Sequence, residues 1–169
     1  MKNFGWFQVA KKLAPFLLLC ILINSCVTLQ PATALKKDSL DSYKYIYITP
    51  TNSLTSGSGT TISGNYYSAS KTVNPVDVIS GILTKEGLIR LPDLKPELAG
   101  QTLIVNYGES GRRNVRLGGY TMEVTIQFVS AQNSSLVCTC TAEGFGSTEA
   151  DDIRIAIKRC LNELWPRQN

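Results

Sequence analysis

The sequence predicts a single α+β domain in the order β-α-β-β-β-α, a largely antiparallel sheet with two helices packed on one face. Three observations predict it. Residues 43–49, 101–107, 120–130 and 136–143 alternate apolar with polar side chains, the period of a strand with one buried face. Residues 75–83 and 153–164 instead repeat apolar residues at helical spacing. The alternating runs at 120–130 and 136–143 are joined by a short polar turn, which makes them a hairpin.

Tyr43 to Thr49 is rich in aromatic and β-branched residues, and Pro50 ends it. Asn52 to Gly64 is Ser, Thr and Gly with only Leu54 and Ile62, and reads as a flexible loop or loose hairpin; Tyr66-Tyr67 reads as the start of a short edge strand. Asn74-Pro75 announces the first helix, an N-cap residue followed by Pro at the first helical position. Val78, Ile79, Ile82 and Leu83 are its stripe, and Gly87 with Leu88 stops it. Leu103, Val105 and Tyr107 mark the second strand, followed by a turn-rich stretch from Gly108 to Gly119. Met122, Val124, Ile126 and Phe128 form one face of the third strand, and Leu136, Cys138, Cys140 and Ala142 one face of the fourth. Thr148 and Asp151 have capping-box spacing at the start of the last helix, whose stripe is Ile153, Ile157, Cys160, Leu161 and Leu164; Pro166 ends it.

The chain has 169 residues, 43% hydrophobic and 18% charged, enough for one domain with a real core. It has no His, which excludes the Ser-His-Asp triad, the Cys-His pair and imidazole-ligated metal. No catalytic residue, cofactor or metal ligand is assigned, and the expected function is non-enzymatic.

Residues 1–25 read as a signal segment: Lys2, Lys11 and Lys12, then an apolar run from Leu13 to Ile23 that is too short to span a bilayer. The run ends in Ile23-Asn24-Ser25-Cys26, which resembles the lipobox of bacterial lipoproteins. The resemblance implies cleavage before Cys26 and attachment of diacylglycerol to its sulfur, with a further acyl chain such as palmitate. The rival is ordinary cleavage after Ala32-Thr33-Ala34. Residues 26–42 read as a flexible, lipid-anchored tether, 43–165 as the domain and 166–169 as a tail. Without the three signal lysines the count is 14 basic against 13 acidic residues, which leaves a nucleic-acid surface without support. Lys36 and Lys37 on the tether could touch anionic headgroups or simply be solvated.

The lipobox, the Tyr-rich first strand, the helix ending Lys85-Glu86-Gly87, the Leu103-Ile104-Val105 strand and the hairpin arm from Leu136 to Ala142 together resemble small bacterial envelope lipoproteins of unassigned function. The layout is similar to that of the lipopolysaccharide-assembly lipoprotein, the lipoprotein activators of penicillin-binding proteins and the amino-terminal domain of the Tol-system propeller protein. This implies an adaptor in the cell envelope with a protein partner. Val27 after the Cys, with no acid before Asp38, implies by the same resemblance the periplasmic side of the outer membrane.

Three groups of residues are candidates for chemistry or contact. Cys138, Cys140 and Cys160 read as three buried thiols, small hydrophobes in the core; the alternative is a disulfide from Cys160 to Cys138 or Cys140, since all three fall where helix and sheet meet. Arg112, Arg113 and Arg116 form either an anion-binding loop for lipid, lipopolysaccharide or wall-polymer phosphates, or a solvated hairpin tip. Tyr43, Tyr45 and Tyr47 are expected on one side of the first strand, as a contact face for a glycan or protein or as core packing. Asp151 and Asp152 point about 100° apart on a helix and read as helix-start acids, not a catalytic pair.

Overall fold

The computed structural model of the protein describes residues 27–115 and 119–166; the signal segment with Cys26, and Arg116, lie outside the described residues. The elements are β1 (Thr33–Lys36), β2 (Tyr45–Ile48), β3 (Leu54–Ile62), β4 (Asn65–Val73), α1 (Pro75–Lys85), β5 (Ile89–Arg90), a 3₁₀ helix (Pro96–Gln101), β6 (Thr102–Val115), β7 (Gly119–Ser130), β8 (Leu136–Gly144) and α2 (Glu149–Leu164). Six strands form one sheet in the order β1-β8-β7-β6-β2-β5, and β3 and β4 form a separate hairpin. The large sheet is antiparallel except where β2 pairs in parallel with β5 and β6. This is a mixed α+β domain with two helices over a mostly antiparallel sheet.

Both helices begin where their caps predict. The Asn74 side chain accepts the Val76 N–H at 3.0 Å, and Thr148 Oγ1 accepts the Asp151 N–H at 3.3 Å. The Leu88 N–H returns to the Leu83 carbonyl beyond Gly87. Ile79 and Leu83 of α1 and Ile153, Ile157, Cys160, Leu161 and Leu164 of α2 are buried against Ile46, Leu103, Val124, Ile126 and Phe128 of the sheet. Phe128 is fully buried and meets Trp165 edge to face, with ring centroids 5.4 Å apart. Such a ring contributes on the order of 2–3 kcal/mol by leaving water. Gly144 ends β8 where α2 crosses it. A Cβ there would lie 1.8 Å from the Asp152 carbonyl oxygen, so only glycine allows this approach.

Two expectations are corrected, and one open alternative is decided. The segment read as a flexible tether contributes an edge strand: β1 pairs antiparallel with β8, Thr33 opposite Thr141 and Lys36 opposite Cys138. Its four residues are exposed, so no buried face imposed a period on the sequence. Of the loop and the hairpin, the Ser/Thr/Gly tract forms the hairpin: it is a nine-residue arm turned at Ser63-Gly64, both at positive φ, as a two-residue hairpin requires. It is tied down at its base, where Ser56 Oγ accepts the Ala150 N–H, Lys71 pairs with Asp151 at 2.6 Å, and Arg154 donates to the Thr72 carbonyl. The turn-rich stretch after Gly108 is the outer half of β6, which runs to Val115 with a bulge between Glu109 and Gly111. There the strand passes beyond the core and its residues are largely exposed, which erases the alternation.

Candidate functional site

The two faces of the large sheet differ. Ile46, Ile48, Leu103, Val105, Val124 and Ile126 point to the helices and are buried. Their neighbours point the other way, where neither α-helix packs among the described residues; at one end of that face Thr102 is fully buried and donates to the Leu98 carbonyl of the 3₁₀ helix. Registers arrange that face into rungs. Tyr47, Ile104, Val129 and Leu136 lie side by side across β2, β6, β7 and β8. The next rung is Asn106, Gln127, Thr139 and Leu35, and the one beyond it Thr125, Thr141 and Thr33. Tyr47, Ile104 and Val129 are half-buried and Leu35 is 51% exposed, so an aliphatic and aromatic band runs into a threonine-rich field. Thr125 Oγ1 and Thr141 Oγ1 are 2.8 Å apart, and Thr139 Oγ1 donates to the Ile126 carbonyl, which holds these hydroxyls in place. Beside them the bulge in β6 opens a groove of ≈ 260 Å³ lined by Asn106, Tyr107, Glu109, Ser110, Thr125 and Gln127.

Tyr45 and Tyr47 stand on this face, opposite the buried Ile46 and Ile48. Tyr43 does not join them. It precedes β2, its N–H reaches the Leu40 carbonyl, and it packs against the core, so the expected row of three is a pair.

Of the three arginines, Arg116 lies outside the described residues, and Arg112 and Arg113 are each paired with a carboxylate of the protein. Arg112 pairs with Glu149 and lies over the Tyr120 ring, 4.9 Å from its centroid. Arg113 grips the Glu143 carboxylate through Nε (2.7 Å) and Nη2 (2.6 Å), and Nη2 also donates to the Thr28 carbonyl at 3.1 Å. A guanidinium committed to a bidentate carboxylate has little left for phosphate. The Arg113 hydrogen bonds hold the Glu143 carboxyl well below the usual range, at about 2, despite its burial. The partners Glu143 and Glu149 come from β8 and the start of α2, sequence-distant from the arginines; nothing in local spacing marked them.

Cys140 and Cys160 are joined by a disulfide between β8 and α2, with Cα atoms 5.3 Å apart. Cys138 is the remaining free cysteine among the described residues; it is buried, and burial pushes its thiol up to about 12, which makes it inert. The three-thiol reading is therefore replaced by one bond and one packed thiol.

Asp151 is held at about 2 by its hydrogen bonds to Lys71 and Ser147, whereas burial raises Asp152, which accepts the Gly146 N–H. Each has its own structural partner, and they do not converge. Among the described residues no cluster of three or more His, Cys, Asp or Glu could hold a metal, and no helix is long and apolar enough to cross a membrane.

The fold is a mixed α+β domain, a mostly antiparallel sheet with two α-helices on one face. No family model matches the chain, and no curated protein sequence matches it. Among solved structures, the chain is similar to a PelC dodecamer from Paraburkholderia phytofirmans, at 11% identity and a TM-score of 0.46, over 78% of this chain and 96% of that one. It is also similar to a PelC variant dodecamer from the same organism, at 15% identity and a TM-score of 0.47, over 81% and 99% of the two chains.

Proposed function

We propose that the protein is a lipid-anchored lipoprotein on the periplasmic side of the outer membrane, a non-enzymatic adaptor that binds an envelope protein through the open sheet face. The observation that carries this reading is the band of Tyr47, Ile104, Val129 and Leu136 on a face that neither α-helix covers among the described residues. Half-buried aliphatic and aromatic groups in line, rimmed by hydrogen-bonding side chains, are the composition of a protein contact surface. Two further features support the setting. A disulfide in the core suits an oxidising compartment. Cleavage after Ala34 would discard half of β1, whereas cleavage before Cys26 keeps it whole.

The polar groove at Asn106, Thr125 and Gln127 favours a second reading, a glycan laid across the threonine field beside Tyr47. One experiment separates the two. A photocrosslinking residue at Tyr47, compared with one at the exposed Lys158 of α2, should yield a discrete protein adduct in cells only from position 47. Ile104→Lys should abolish it. Equal adducts from both positions would contradict the adaptor reading. Absence of any adduct, together with wall-glycan retention lost in Tyr47→Ala, would favour the glycan.

A further inference from the structure

β2 and β5 run parallel and end side by side, and α1 begins beside their carboxyl ends. β6 pairs with β2 on its other side, so the chain passes from β2 to one neighbour before it returns to form the other. In open sheets a crevice forms outside the carboxyl ends of parallel strands at such a point, and ligands bind there. That position holds a cavity of ≈ 210 Å³ walled by Pro50, Val76, Leu91 and Pro92, with Asn74, Asp77 and Arg90 among its polar lining. The β3–β4 arm springs from one wall, between Thr51 and Asn74, and is tied to α2 through Ser56, Lys71 and Arg154; none of the arm's described residues lines the cavity.

Two of the polar groups have donors to spare. Arg112, Arg113, Arg154 and Arg159 each hydrogen-bond to a carboxylate or a carbonyl. Arg90 has no such bond among the described residues. It faces Asp77 with Nη1 3.9 Å from Oδ1, beyond hydrogen-bond reach, and the two side chains are 44% and 72% exposed. Such a pair contributes little energy and leaves the fork of guanidinium N–H groups open. Asn74 Oδ1 accepts both the Val76 N–H and the Thr51 hydroxyl, which fixes the amide and leaves its Nδ2 donors without a partner among the described residues. The first N–H groups of α1 are already bonded, Val76 to Asn74 Oδ1 and Asp77 and Val78 to the Asn74 carbonyl, so the site does not rest on the helix end.

A cation and an anion side by side at one small cavity complement a ligand that carries the opposite pair close together. The ligand carboxylate then lies on Arg90 and Asn74 Nδ2 and its ammonium on Asp77, a ring of four alternating charges that leaves no charge unpaired. The cavity is smaller than the roughly 300–1,000 Å³ of sites for drug-sized molecules, which limits the ligand to about one residue. Its proline, valine and leucine wall takes an apolar side chain, which a zwitterionic lipid headgroup lacks. From the cavity and its adjacent charges we infer that this is a binding site for a free aliphatic α-amino acid. The inference stands apart from the lipid anchor and the adaptor reading, although Tyr47 borders both the cavity and the contact band.

The test is an NMR titration of the full-length protein, purified in detergent, with leucine, N-acetylleucine, leucinamide and phosphoethanolamine. Leucine should bind saturably with a Kd of about 1 mM or tighter, a strength within reach of so small a ligand. N-acetylleucine and leucinamide each lack one charge and should bind at least about tenfold more weakly. Arg90→Gln and Asp77→Asn should each weaken leucine at least about tenfold, and Asp77→Asn should strengthen N-acetylleucine. Both variants should unfold at the wild-type temperature, because the pair is exposed. No saturable binding of leucine at about 10 mM overturns the site. Tighter leucine binding by Asp77→Asn shows a carboxylate site and overturns the zwitterion. Phosphoethanolamine binding more tightly than leucine overturns the amino acid in favour of a headgroup.

Discussion

Breaking the Cys140–Cys160 bond should lower stability by an amount that loop entropy sets. The two residues are 20 apart. Closing a loop of about that length removes roughly 11 cal/mol/K from the unfolded chain, which is about 3 kcal/mol at 25 °C. With about 140 ordered residues the unfolding entropy near 60 °C is about 300 cal/mol/K, so reduction should lower Tm by about 10 °C. The assay is thermal unfolding with and without a phosphine reductant, beside intact mass under the same conditions. Reduction should add two hydrogens to the wild type and to Cys138→Ala, and none to Cys160→Ala. The bond is refuted if reduction leaves the wild-type mass unchanged or if Cys138→Ala abolishes the mass gain. Its entropic role is refuted if Tm moves by less than about 2 °C when the bond is cut.

Single contacts set the other expected outcomes. Gly144→Ala places a Cβ on the α2 backbone, 1.8 Å from the Asp152 carbonyl oxygen and 2.7 Å from the Ala156 nitrogen; denaturant unfolding should show a loss of about 1–3 kcal/mol, whereas Gly111→Ala, with nothing nearer than 3.7 Å, should show little. Arg112→Ala, an exposed pair, should cost at most about 1 kcal/mol. Arg113→Ala strands the buried Glu143 and should cost several times more in the same unfolding series. Glu143 titrates near 2 in the folded protein against an ordinary 4.5. Because the folded value is depressed, its stabilising contribution is complete above about 4.5 and is lost as pH falls toward 2. Glu143→Gln should therefore flatten, though not abolish, the acid-side slope of stability, since Asp151 titrates in the same window.

What was legible in the sequence is what a period or a cap encodes. Asn74-Pro75 and Thr148 start helices by local chemistry, and Met122 to Phe128 alternate because one face of β7 is buried. What was not legible lacks such a local cause. β1 and the β3–β4 arm expose most of their residues, so neither carries an apolar rhythm. The partners of Arg112 and Arg113 lie 37 and 30 residues away, and no spacing announces a pair that only strand register and helix docking create. The same holds for the Gln30 carbonyl, which accepts from Arg159 across 129 residues. Tyr45 and Tyr47 were legible as a face because they share a strand; Tyr43 was not legible as an exception, because the strand begins two residues later.

The envelope setting depends on the lipid at Cys26, and the mass of the N-terminal peptide of the mature protein tests that most directly. It should begin at Cys26 and carry diacylglycerol on the sulfur with a further acyl chain on the amine, leaving intact β1 and the Thr28 and Gln30 backbone groups that bond to Arg113, Glu143 and Arg159. A mature chain that begins at an unmodified Leu35 would contradict it, because that cut removes Thr28, Gln30 and half of β1 together with the anchor.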